Sequence, residues 1–340
     1  MALDPKLRTA KESTLFTIGV VVSAVAYLAL VISVVGALYA LFIGAFLLIA
    51  QALFLAQVKG NGVRVSERQL PELYARVKLA ASKLGVTEVP DVYLVQSGGV
   101  LNAFATKLLS RNFIILYSSL VDACEDPRQL DFVIGHEVGH LAAGHLKWNL
   151  ALAPFRLVPW LGAAYSRARE YTCDRCGFAV AGDVEQSVRG LAVLAAGGRH
   201  AGKVDLAAFV AQREEAGNFW MAIYELVATH PYLCKRAAAV QEFAAPGTVK
   251  EVGRNPWAYP FAPIFGVMAA PASGAGGLIV VVAIMGVLAA VAIPAFVKYQ
   301  ERARLGHAVT QTQDDAPADD ADDAALQRQL EKLRKEAGER

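Results

Sequence analysis

From Leu15 to Val58 the chain carries no charged side chain. A bilayer core takes about 20 apolar residues per helix, so this run holds two crossings rather than one. A turn near Ser33–Gly36 divides it into helices over roughly 15–34 and 37–57. Lys6, Arg8 and Lys11 precede the run, and Lys59, Arg64 and Arg68 follow it. Basic flanks at both ends put both on the cytoplasmic side by the positive-inside preference, as an even number of crossings allows. The run is several times longer than the apolar core of a secretory signal, so it reads as an anchor rather than a leader.

A second apolar block, Leu278–Val297, is also long enough to span. It follows a Pro/Ala/Gly-rich connector and precedes Lys298, Glu301, Arg302 and Arg304. A single crossing here would leave that basic cluster outside, against the positive-inside preference. The expected organisation is a cytoplasmic N-terminus (1–14), a transmembrane hairpin (15–58), a folded domain (59–255), a linker (256–277), a transmembrane helix (278–297) and a charged tail (298–340). The net charge of +2 supplies no basic surface for nucleic acid. Four scattered cysteines make no disulfide framework. Cys173 and Cys176 form a single C-x-x-C and read as ordinary reduced cysteines of a cytoplasmic domain.

Within the domain, Val65–Leu84 has apolar residues at helical spacing and ends at Gly85. Asp91–Gln96 and Asn112–Tyr117 read as strands with Asn102–Thr106 between them, so a small sheet is expected. Asp126 is a natural N-cap and Pro127 suits the first helical position. Leu130, Val133, Ile134, Val138 and Leu141 then carry an apolar helix face to about Trp148.

That helix contains His136-Glu137-Val138-Gly139-His140. Histidines four apart project about 40° from each other, so both imidazoles reach one tetrahedral zinc. Glu137 lies about 100° from His136, beside the metal, where a carboxylate polarises water rather than binding the ion. A catalytic zinc takes a third protein ligand and keeps one position for water. Glu170 is the best candidate, on a second helical stretch that includes Ala168–Asp174. Asp174, four residues further, shares its face and could accept a hydrogen bond from a ligand imidazole. His145 lies about 140° around the helix from His140 and is expected to point elsewhere. His200 and His307 sit in a Gly-rich stretch and near the tail, and His230 is open to a role or to none.

Together these residues resemble the HtpX-like and CAAX-prenyl-protease-type membrane zinc metallopeptidases. Four pieces occur in that family's order: NAFA at 102–105, HEVGH at 136–140, EYTCD at 170–174 and HPYLCKR at 230–236. The resemblance implies an α+β, mostly helical gluzincin domain with a small sheet, one Zn2+ per chain and a protein or peptide substrate. It implies His136, His140 and Glu170 as zinc ligands, Glu137 as general base and Asp174 as a supporting acceptor. His230 would stabilise the oxyanion of the tetrahedral intermediate, with Arg236 positioning it. Asn102, Ala103 and Phe104 would lie beside the substrate, whose backbone pairs with that strand edge. Where HtpX has further membrane helices between its second histidine and its glutamate, this chain has Trp148–Tyr165, which reads as a membrane-surface or cleft-lining segment.

Residues 280–303 resemble the N-terminal helix of type IV pilins, with Gly277 where pilins carry a glutamate, and read as a pilin-like anchor. The expected protein is therefore a multi-pass endopeptidase of the bacterial inner membrane with its domain in the cytoplasm, acting in membrane-protein quality control or processing. The alternative is a non-catalytic membrane scaffold with a structural zinc.

Overall fold

Ser33 breaks the apolar run. In the computed structural model of the chain, α1 (Ala10–Ile32) ends there and α2 (Val34–Asn61) begins, with the Ser33 hydroxyl accepting the Gly36 N–H as a cap. The structure describes residues 3–96, 98–158, 160–262, 296–304 and 323–338. Both helices are long and apolar enough to cross a membrane. Their outer residues, including Val21, Val25 and Leu28 on α1 and Leu41, Phe42 and Phe46 on α2, stay exposed. A helix that is apolar all round needs lipid or a protein core around it, and among the described residues the flanking protein leaves these outer faces uncovered. Glu12, Leu15, Gly19 and Ser23 are buried along the first two-thirds of α1, and Leu55 and Val58 near the end of α2.

The expected helix over 65–84 starts later. Val63–Val65 is a short strand, β1, and α3 runs over Pro71–Lys83 with its proline in the first turn. Strands β2 (Asp91–Val95), β3 (Ala103–Leu108) and β4 (Arg111–Tyr117) complete a sheet of order β1-β2-β4-β3. β2 runs parallel to β4, while β1 and β3 pair antiparallel to β2 and β4. The alternation of β4 serves two cores. Ile114 and Leu116 face Val77, Ala80, Ile134 and Val138, whereas Phe113 and Ile115 face Leu55 and Val58 of α2. The sheet thus sits between the base of the anchor and the helices of the domain, and β3 is left as an edge.

Helix α4 (Ser118–Ala123) leads to α5 (Pro127–Ala142), whose Asp126 cap accepts the Arg128 N–H. Helix α5 ends six residues short of Trp148. Gly144 takes a left-handed φ of 76°, and the Gly144 and His145 N–H groups return to Leu141 and His140 carbonyls. After α6 (Ala153–Leu157) comes α7 (Leu161–Ala181), which carries Glu170 and packs along α5. Helices α8 (Val184–Ala196), α9 (Gly198–Ala201), α10 (Leu206–Ala211), α11 (Phe219–Val227) and α12 (Leu233–Ala244) follow. Phe132 of α5 packs with Val188, Leu191, Ala237 and Val240 in a second core that seats α8 and α12.

Residues 277–340 form a separate unit. Within it 296–304 are helical and Asp323–Gly338 is a terminal helix. The expected transmembrane helix at 278–297 lies outside the described residues apart from its last two.

Candidate metal centre

Helices α5 and α7 meet through glycines. A Cβ on Gly135 would lie 2.8 Å from Val180 Cβ, one on Gly139 2.8 Å from Cys176 Cβ, and one on Gly177 2.6 Å from the Phe132 carbonyl oxygen. Ordinary carbon contacts lie near 3.5–4.0 Å, so a side chain at any of the three would push the helices apart. This close crossing brings a carboxylate of α7 onto two imidazoles of α5. Glu170 Oε2 lies 3.4 Å from His136 Nε2, and Glu170 Oε1 lies 3.6 Å from His140 Nε2.

The opposite ring nitrogens are also engaged. His136 Nδ1 is 2.9 Å from Asp174 Oδ1. Arg236 of α12 holds that carboxylate with two bonds, Nε to Oδ2 at 2.8 Å and Nη2 to Oδ1 at 2.6 Å. Its Nη1 lies 3.4 Å from Glu170 Oε2. Among the described residues the guanidinium therefore meets Asp174, Glu170 and His136, rather than the His230 it was expected to position.

His140 Nδ1 is 2.9 Å from His145 Nδ1. This corrects the expectation that His145 points away, which assumed that α5 continued. The turn at Gly144 swings His145 back along the helix to its neighbour. Cys173, which the sequence presents as an ordinary reduced cysteine, also comes close to this cluster. Its sulfur lies 3.6 Å from His145 Nδ1, and His136, His140 and Cys173 could hold a metal ion between them. The signal was present, since Cys173 is three residues from Glu170 on one helix face.

Burial pulls the charges of this cluster in different directions. Burial opposes a charge on His136, but Asp174 and Glu170 override it and lift its pKa to about 10 when no metal competes. Burial pushes His140 well down. Glu170 and Asp174 are held below the carboxylate range despite burial, by the His136 hydrogen bond and Arg236 for the first and mainly by Arg236 for the second. Burial lifts Glu137 to about 7; the His136 charge opposes the rise and that of Glu170 adds to it. Burial also keeps the Cys173 thiol protonated, well above its ordinary pKa.

The other predicted residues lie around this cluster. The Ala105 backbone N–H on β3 donates to the Glu137 carboxylate, so the sheet edge runs past the motif. Ala103 and Phe104 are on that strand, and Asn102 precedes it with its side chain accepting the Ala103 N–H at 2.9 Å. His230 is exposed on the loop before α12, with Nε2 3.7 Å from Glu170 Oε1 and Nδ1 3.0 Å from the Thr229 hydroxyl. The arrangement is a cation-ready cluster with a buried carboxylate of near-neutral pKa on one side and an open imidazole on the other.

The chain is 32% identical over 154 residues to the plastoglobule-localized metallopeptidase 48, chloroplastic, of Arabidopsis thaliana, covering 41% of this chain and 44% of that protein. It is 36% identical over 84 residues to the metalloprotease LoiP of Escherichia coli (strain K12), covering 24% and 32%. It is 32% identical over 128 residues to a protease HtpX homolog of Leuconostoc citreum (strain KM20), covering 36% and 43%. The chain thus spans less than half the length of these relatives. No solved structure shows a significant match. The model of peptidase family M48 matches residues 67–159 and 149–244, and the two stretches meet in the apolar interval between His140 and Glu170. With more than half of its 340 residues matched, the chain belongs to peptidase family M48.

Proposed function

We propose that the chain is a membrane-anchored zinc endopeptidase that holds one zinc ion with His136, His140 and Glu170. The carrying observation is the spacing of their donor atoms. Ligands about 2.0–2.1 Å from a tetrahedral zinc lie about 3.3 Å apart. The Glu170 oxygens stand 3.4 and 3.6 Å from the two Nε2 atoms, close to that edge length. Asp174 and His145 engage the Nδ1 atoms, which leaves Nε2 as the coordinating nitrogen on both rings.

Zinc in such a site acts as a Lewis acid and lowers the pKa of a bound water from about 15.7 toward 7. The protein does the rest. Glu137, a buried carboxylate one position along the helix from His136, takes the proton of the attacking water and returns it to the leaving amine. His230 Nε2, exposed at the rim, donates to the scissile carbonyl oxygen as negative charge develops. The outer edge of β3 takes an extended substrate backbone past Asn102, Ala103 and Phe104, with Asn102 Oδ1 and the Glu137 carboxylate releasing the Ala103 and Ala105 N–H groups as it binds.

The apolar hairpin supports a site at a membrane, and the basic residues on both flanks favour the cytoplasmic face of a bacterial inner membrane. Membrane proteins undergoing quality control or processing are then the substrates within reach. Cys173 supports one competing reading, a closed structural zinc in a non-catalytic scaffold. Glu137→Gln separates the two. The endopeptidase reading expects full zinc occupancy with casein hydrolysis reduced at least about 1,000-fold, near the scale of general-base catalysis. Wild-type protein that holds zinc but cleaves nothing, or a variant as active as wild type, would refute it.

A further inference from the structure

The second metal histidine is supported from the membrane anchor. His145 lies between two groups distant in sequence, with Nδ1 2.9 Å from His140 Nδ1 and Nε2 3.1 Å from Glu12 Oε1. Glu12 belongs to the first turn of α1 and is completely buried, as is the His145 side chain to within 1%. Arg8 braces the same carboxylate at 2.6 Å and donates to the Ala143 carbonyl at 2.7 Å, at the end of α5. The Thr9 N–H donates to the Thr172 hydroxyl of α7 at 3.1 Å. The start of the anchor is thus bonded to both helices of the metal centre.

The hydrogen bonds have one self-consistent assignment. If His140 offers Nε2 to a metal, its proton must sit on Nδ1 and be donated. His145 Nδ1 then accepts, which leaves the His145 proton on Nε2, facing a carboxylate that can only accept. His136 has the equivalent arrangement through Asp174 and Arg236, both from the domain itself. We propose that Glu12 of the anchor helix, acting through His145, is a positioning residue that fixes the tautomer and orientation of His140 for metal binding. The chain Glu12–His145–His140 makes the membrane anchor part of the metal centre. This rests on the metal-centre reading above.

The test is zinc affinity of the full chain in detergent, measured by competition with a chromophoric chelator, alongside the melting temperature of each zinc-free protein. Glu12→Leu and His145→Leu should each weaken zinc binding about 10- to 100-fold, the range for lost outer partners of metal histidines. The double variant should bind no more weakly than His145→Leu alone, because one chain is broken once. Glu12→Gln, whose amide oxygen still accepts, should stay within about threefold of wild type on the same reasoning. A residue that only packs would lower the zinc-free melting temperature and leave affinity unchanged, and that result would overturn the proposal. Losses that multiply in the double variant would overturn it too. If a leucine variant does not fold, His145→Asn replaces it, since its shorter side chain cannot bridge His140 and Glu12, and the same weakening is expected. Wild-type protein that binds no zinc would instead refute the metal-centre reading itself.

Discussion

Arg236 is where the charge balance of the site is most exposed to test. In the zinc-free protein two buried carboxylates, Asp174 and Glu170, face two cations, the Arg236 guanidinium and the His136 imidazolium. Arg236→Met keeps much of the side-chain volume and removes one of those cations, so one negative charge remains buried and unpaired. Asp174 is 1% exposed and Glu170 7%, so water cannot replace the lost partner. Breaking a buried pair in this way costs about 3–5 kcal/mol. At about 2–4 °C per kcal/mol for a domain near 200 residues, the zinc-free melting temperature should fall by roughly 6–20 °C.

The pH dependence should carry the sign of the mechanism. Both carboxylates have folded-state pKa values below their unfolded ones, so their stabilisation is present above about pH 4 and is lost as pH falls through the depressed values. Without Arg236 burial dominates and raises at least one of them, so the variant recovers stability as pH falls and that group protonates. The gap between wild type and variant, read by calorimetry, should therefore be widest near pH 8 and narrow toward pH 5. A gap under about 2 °C at pH 8, or one that widens on acidification, would refute this account of the site.

Other outcomes follow from the helix crossing and the anchor. Gly139→Ala places a methyl 2.8 Å from Cys176 Cβ, where overpacking costs about 1–3 kcal/mol against about 1 regained in helix propensity. Stability should fall by about 0–2 kcal/mol, and zinc content after dialysis should fall as Glu170 moves off the histidines; full occupancy would contradict the role given to this contact. Leu150 is 77% exposed beside α1, whose Tyr27 hydroxyl donates to the Leu150 carbonyl. Leu150→Asp should slow cleavage of a membrane-embedded substrate while leaving hydrolysis of a soluble peptide unchanged, and equal effects on both would argue against a bilayer-facing segment.

Much of the site could be read from local pattern. Asp126 and Pro127 mark where α5 begins, and the spacing of His136 and His140 and of Glu170 and Asp174 puts each pair on one helix face. The hairpin was legible because lipid demands a long uncharged run, and Ser33 falls where the turn was expected. What escaped depends on where chains turn or meet. The end of α5 hangs on the left-handed Gly144, and with it the direction of His145. Strand β1 is three residues long and exists through its pairing with β2. Glu12 reaches His145 across 133 residues, a contact no periodicity encodes. Inside an apolar anchor a lone acid looks like part of the flank until its partner is seen.

The central claim is that two imidazoles and the Glu170 carboxylate hold the metal while Cys173 stays outside. X-ray absorption at the zinc edge of the purified full-length chain tests it most directly. Nitrogen and oxygen neighbours alone are expected near 2.0–2.1 Å from the zinc, with scattering from two imidazoles. A zinc–sulfur distance near 2.3 Å would put Cys173 in the coordination sphere and contradict the account.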